Sequence, residues 1–95
     1  MMMKIARYEV RREAVPQALA AVKEFVDQVK RKEGGTARYE AYQSTDGTHF
    51  THIMAFRVAS AEQYHQKTAW SKKFVETLYP LCVTPPQFVD VTPVE

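Results

Sequence analysis

The chain opens on an alternating stretch. Over residues 3–11, Ala6, Tyr8 and Val10 share one side, and Met3, Ile5, Arg7 and Glu9 share the other, the two-residue period of a β-strand. The period then lengthens. Val15, Leu19, Val22, Phe25, Val26 and Val29 recur at helical spacing behind Pro16, which suits a first helical turn. Lys30, Arg31 and Lys32 suit a helix C-terminus, and Gly34–Gly35 stops the helix. A strand over 36–43 and another over 49–58 flank the Ser44–Gly47 turn, which makes a hairpin. The second of these puts Phe50, His52, Met54 and Phe56 on one face. Ser60 and Gln63 have the spacing of a capping box, opening a helix that carries Tyr64, Trp70, Phe74, Leu78 and Leu81. Its apolar phase slips near Ala69, which predicts a kink, and a last strand covers 87–92.

The order β-α-β-β-α-β predicts the ferredoxin-like α+β plan: a four-stranded antiparallel sheet with both helices on one face. Large apolar side chains occupy both faces of the first and third strands. The sheet face away from the helices therefore needs cover, and a second copy of the chain supplies it, so a homodimer is expected.

Composition adds limits. With 95 residues, the chain is expected to form a single domain over residues 1–95, with a small core. Hydrophobic residues at 45% and charged residues at 25% describe a globular chain rather than a disordered one. A net charge of +2 is too weak a field to call for nucleic acid or a membrane surface. The lone Cys82 has no disulfide partner within the chain, and the first residues lack a signal-type apolar run, so a cytoplasmic setting is expected.

The fold plan alone decides nothing about function. The third strand lacks the Gly-aromatic pattern with which RNA-recognition domains stack bases. The loop between first strand and first helix has no glycines for a phosphate and no paired cysteines for a metal. His49 and His52, three apart in a strand, point to opposite faces and cannot share a metal, and His65 has no Glu-x-x-His partner, so no metal site is expected. Cys82 reads as a small core residue. The chain does carry more aromatic rings than a small core needs, and a cavity between sheet and helices with a histidine and a tyrosine hydroxyl would suit a flat aromatic molecule.

These residues resemble the antibiotic biosynthesis monooxygenase-like family of dimeric α+β barrels. The carriers are Arg7–Val10, Glu33–Gly34–Gly35 followed by Tyr39–Glu40, Phe50 through Phe56, and His65 with Trp70, Phe74 and Leu78. A third-strand aromatic followed nine residues later by a second-helix histidine is matched by Phe56 and His65. The family's acid two residues before that aromatic is replaced by Met54, and the aromatic, usually Trp, is Phe56. Position 80, where the haem-degrading branch has its histidine after Trp70, holds a proline, which argues against that activity. The run Phe50–Met54 is also similar to stress-responsive barrels that include a polyketide cyclase.

The resemblance implies a dimer with one small cavity per subunit, and a monooxygenase that needs no cofactor because a quinol or aromatic polyketide-like substrate supplies the electrons. Imidazole, with an ordinary pKa of about 6.5, is mostly neutral at pH 7 and suits the base. His65 or His52 is the candidate. Tyr64, Tyr39 or Arg38 would hold the developing oxyanion, and Phe56, Trp70 and Phe74 would wall the ring. Two other readings stay open: a non-catalytic barrel that binds a small hydrophobic ligand, and a cyclase-like acid-base enzyme.

Overall fold

The computed structural model describes residues 1–94; Glu95, the end of the expected domain, lies outside the described residues. Strands β1 (Met2–Glu9), β2 (Thr36–Gln43), β3 (His49–Phe56) and β4 (Gln87–Val91) form one antiparallel sheet in the order β2-β3-β1-β4. Helices α1 (Val15–Lys32), α2 (Ala59–Lys67) and α3 (Ala69–Leu78) accompany it, with short 3₁₀ turns at Arg12–Ala14 and Tyr79–Leu81.

Helix α1 begins at Val15–Pro16, where the missing proline N–H costs nothing. Its buried stripe is Ala18, Val22, Phe25 and Val29, with Val15, Leu19 and Val26 beside it. The β2–β3 turn closes at Gly47, whose φ of +92° strains any residue with a side chain. Gly35 serves packing instead: a Cβ there would stand 2.6 Å from the Ala61 Cβ, so its absence lets α2 approach the start of β2.

The kink expected near Ala69 is a complete break. Thr68 is extended (φ −68°, ψ 154°) and caps α3, its hydroxyl accepting the Ser71 N–H at 3.1 Å. The Thr68 and Ser71 hydroxyls both donate to the His65 carbonyl, so the break also anchors the last turn of α2. The Ser60 capping box does not form. Helix α2 starts at Ala59 behind an extended Val58, whose carbonyl accepts the Ala61 N–H, so Ser60 falls inside the first turn rather than at the cap.

Alternation divides the sheet into two faces. Ala6, Tyr8, Tyr39, Phe50, His52, Met54 and Phe56 are buried on the helix side. Cross-strand register sets Met3 between Val91 and Ala55, and Ile5 between Val89 and Ile53, giving the opposite face an aliphatic band.

Candidate functional site

Between the sheet and the helices lies a cavity of about 440 Å³. Phe25, Phe56, Phe74, Met54 and Leu78 make most of its wall apolar, and His52, His65, Tyr8 and Tyr39 add polar atoms. Phe25 stacks on Phe74 with ring centroids 4.3 Å apart, which holds α1 and α3 together at the cavity wall. A Lys4–Glu62 ion pair of 2.6 Å also borders the space.

His65 sits in the last turn of α2, and its Nδ1 lies 2.9 and 3.0 Å from the two carboxylate oxygens of Glu33. Glu33 follows the last residue of α1, with its side chain 1% exposed. Trp70 Nε1 donates to the same carboxylate at 2.6 Å and the Thr36 hydroxyl at 2.7 Å. Burial pushes the Glu33 carboxyl up, but the hydrogen bonds from His65, Trp70 and Thr36, with the pull of the His65 ring when it is protonated, outweigh it and hold it below the usual carboxylate range. A carboxylate only accepts, so His65 Nδ1 carries a hydrogen and the lone pair of the neutral ring is at Nε2. That nitrogen has no hydrogen-bond partner among the described residues. No buried side-chain N or O atom among them lacks a partner, so Nε2 keeps an accessible edge, and His65 is one of the residues lining the cavity. The arrangement is a carboxylate that orients an imidazole, with a proton-accepting atom left available.

His52, on β3, is different. It is 1% exposed and both ring nitrogens are engaged: Tyr8 Oη lies 2.6 Å from Nε2 and Tyr39 Oη 2.8 Å from Nδ1. Burial, aided by His65 when that ring is protonated, pulls His52 down to about 4. Burial also drives both phenols upward, Tyr8 with help from Cys82 and Tyr39 with help from Tyr8, Glu33 and Tyr79, so each stays protonated. A histidine with both nitrogens engaged and a low pKa is a poor proton acceptor, whereas His65 has a ring nitrogen without a hydrogen-bond partner among the described residues.

The other expected residues divide by face. Tyr39, Phe56 and Phe74 line the cavity. Arg38 does not: alternation along β2 sets it on the opposite face from Tyr39, where it is exposed and pairs with Glu40 at 2.8 Å. Tyr64 is 55% exposed, turned outward on α2 with its ring 6.4 Å from that of Trp70. Trp70 is not part of the cavity lining; its indole serves Glu33 and faces the groove between α1 and α3. His49 is exposed on the far face near Glu9, and Cys82 is half-buried, its thiol pushed up by burial.

Sequence reading passed over Glu33, Tyr8 and Phe25 as site residues. One signal for Glu33 was present: a carboxylate just past a helix C-terminus opposes the helix dipole and needs a cationic or donor partner.

A family model described as antibiotic biosynthesis monooxygenase matches residues 1–77. Among solved structures, an antibiotic biosynthesis monooxygenase superposes with TM-score 0.92 at 21% identity, over 100% of both chains. A Nitrosomonas europaea protein proposed to be of the same kind gives 0.92 at 22% identity, again over 100% of both chains. A Mycobacterium tuberculosis protein gives 0.89 at 21% identity, over 99% of this chain and 95% of its own. At these identities the structural likeness speaks for the fold. No protein of curated function shows significant sequence similarity to the chain.

Proposed function

We propose, from the premise that this chain belongs to the antibiotic biosynthesis monooxygenase family, that it is a cofactor-independent monooxygenase acting on a flat phenolic molecule, a quinol or an aromatic polyketide-like anthrone. The observation that carries this reading is the Glu33–His65 pair at the wall of an apolar, ring-lined cavity. A volume of about 440 Å³ is ample for two or three fused rings, within the common range for small-molecule sites.

In the proposed reaction His65 Nε2 removes an acidic C–H or O–H proton, and Glu33 stabilises the imidazolium that forms. The resulting anion is electron-rich and reduces dioxygen directly. With an anthrone, the methylene carbon loses two hydrogens and gains a carbonyl oxygen; one atom of dioxygen enters the product and the other leaves as water with those hydrogens. With a hydroquinone, a ring carbon gains one atom of dioxygen to give the hydroxyquinone, and the other atom leaves as water with the two hydrogens the molecule loses. Phe25, Phe56 and Phe74 shield the anion from bulk water, and Tyr39 faces its oxygen side.

The aliphatic band of Met3, Ile5, Ile53, Val89 and Val91 supports a homodimer packed sheet to sheet, expected at twice the monomer mass in sedimentation; a stable monomer at micromolar concentration removes it. Oxygen uptake with a panel of anthrones and hydroquinones tests the activity, in wild type and His65→Ala. Uptake by wild type that falls at least 100-fold in the variant is expected. No uptake by wild type rejects the oxygenase, unchanged uptake in the variant rejects His65 as base, and product formed without oxygen points to acid-base cyclisation.

A further inference from the structure

We propose that Tyr8, His52 and Tyr39 form a shared donor that always leaves one tyrosine hydroxyl free for an oxygen of the bound ligand, so that the cavity selects molecules carrying a carbonyl or phenolate oxygen. This rests on the ligand cavity proposed above and adds the ligand chemistry that it recognises.

Three hydrogens meet two contacts in this triad. The neutral His52 ring has one N–H and one bare nitrogen, and each phenol has one O–H. The contacts are Tyr8 Oη with Nε2 and Tyr39 Oη with Nδ1, and each consumes one hydrogen. With the hydrogen on Nδ1, the ring donates to Tyr39, Tyr8 donates to Nε2, and the Tyr39 hydroxyl hydrogen is left over. With the hydrogen on Nε2 the roles exchange, and the Tyr8 hydrogen is left over. Neither hydroxyl has another protein partner among the described residues, and both tyrosines line the cavity. The tendency of burial to keep all three groups neutral preserves the count across ordinary pH. An acceptor atom on the ligand completes the set; a hydrocarbon of the same shape leaves a buried O–H without a partner, which costs affinity.

The arrangement can serve an oxygen at either tyrosine, because moving the imidazole hydrogen from one nitrogen to the other moves the available donor across the ring. His52 is in this account a positioning residue. It orients both phenols and decides which of them donates, while His65 alone acts on the substrate proton.

The test uses 9-fluorenone and fluorene, flat tricyclic probes that differ by one acceptor oxygen and undergo no proton transfer. Wild type is expected to bind fluorenone about five- to ten-fold more tightly than fluorene, the worth of one neutral hydrogen bond. Tyr8→Phe and Tyr39→Phe each retain one hydroxyl and keep a preference; Tyr8→Phe/Tyr39→Phe together abolish it while fluorene still binds. Nitrogen-15 NMR of histidine-labelled wild type needs no variant to fold: near pH 7 His52 is expected to show one protonated and one bare nitrogen, with fluorenone shifting the balance between them. Equal binding of the two probes by wild type overturns the triad and leaves the His65 reaction standing. So does loss of preference in only one single variant, an imidazolium at pH 7, or His52 resonances unmoved at saturating fluorenone. Failure of both probes to bind overturns the ring-binding cavity and the triad with it.

Discussion

Replacing Glu33 by Gln removes one charge from the buried cluster and turns one of two acceptor oxygens into a donor. The carboxylate takes hydrogen bonds from His65, Trp70 and Thr36. Bonds to a charged group are worth about 1.5–3 kcal/mol against about 0.5–1.5 for neutral ones, so three weakened bonds cost about 3 kcal/mol. Relief from burying an ion returns part of this and leaves a net loss of about 2 kcal/mol, or roughly 8–16 °C in Tm for a domain of this size. The functional effect is larger than the structural one. A Gln carbonyl that keeps the short Trp70 bond turns its NH₂ toward Thr36 and His65. The Thr36 hydroxyl can rotate to accept, but His65 Nδ1, 3.0 Å from a carbonyl oxygen already shared with Trp70, now meets the new NH₂ at 2.9 Å, a clash of donors relieved when its hydrogen moves to Nε2 and Nδ1 accepts. Nε2 then has no lone pair for a substrate proton, and kcat/KM for oxygen uptake should fall about 10²- to 10⁴-fold. Nitrogen-15 NMR should show the hydrogen moving between the two nitrogens of His65, a readout independent of turnover. A folded Glu33→Gln protein with kcat/KM within three-fold of wild type, or with the His65 hydrogen still on Nδ1, refutes the orienting role.

Acid should destabilise the protein through His52. Its folded pKa of about 4 lies below the ordinary 6.5, so the unfolded chain binds its proton first as pH falls. The stability it contributes is complete above pH 6.5 and is lost as pH falls through the folded value, about 3 kcal/mol in all; urea midpoints at pH 7 and 4.5 should show most of this loss, and His52→Gln should flatten it. Glu33, whose folded carboxyl is depressed below 4.5, adds a further loss under that pH. Gly35→Ala should cost about 1–3 kcal/mol by denaturant unfolding, because its Cβ meets Ala61 at 2.6 Å; an unchanged midpoint means that α2 can yield. Thr68→Ala should cost about 1 kcal/mol by removing the cap on α3, and should raise amide exchange in the last turn of α2, where Thr68 also holds the His65 carbonyl; unchanged exchange at His65 refutes that coupling.

Local pattern carried the elements well. The alternation of β1 and β3, the Pro16 start of α1 and the Asp46–Gly47 turn each depend on residues within a few positions of one another. So did the sidedness that separates His49 from His52 and sets Tyr39 with the cavity. The same rule applied to Arg38 sends it to the far face, where its alternation with Tyr39 always placed it. The slip of apolar phase near Ala69 was visible too, but whether a helix bends or breaks depends on what its ends can bond. Thr68 and Ser71 settle that by capping α3 and holding the His65 carbonyl.

The site itself joins residues far apart in the chain. Glu33 meets His65 and Trp70 across 32 and 37 positions, and Tyr8 meets His52 across 44. No periodicity encodes such pairs; they arise when α1 ends beside α2 and when β1 pairs with β3 in a particular register. The sequence by itself determined which residues share a face and that the faces would form a sheet covered by helices, because those follow from backbone geometry over short spans. Tertiary structure decided which cavity-lining histidine keeps a ring nitrogen without a partner and which is closed by two phenols, because protonation and hydrogen bonding depend on neighbours that only packing brings together.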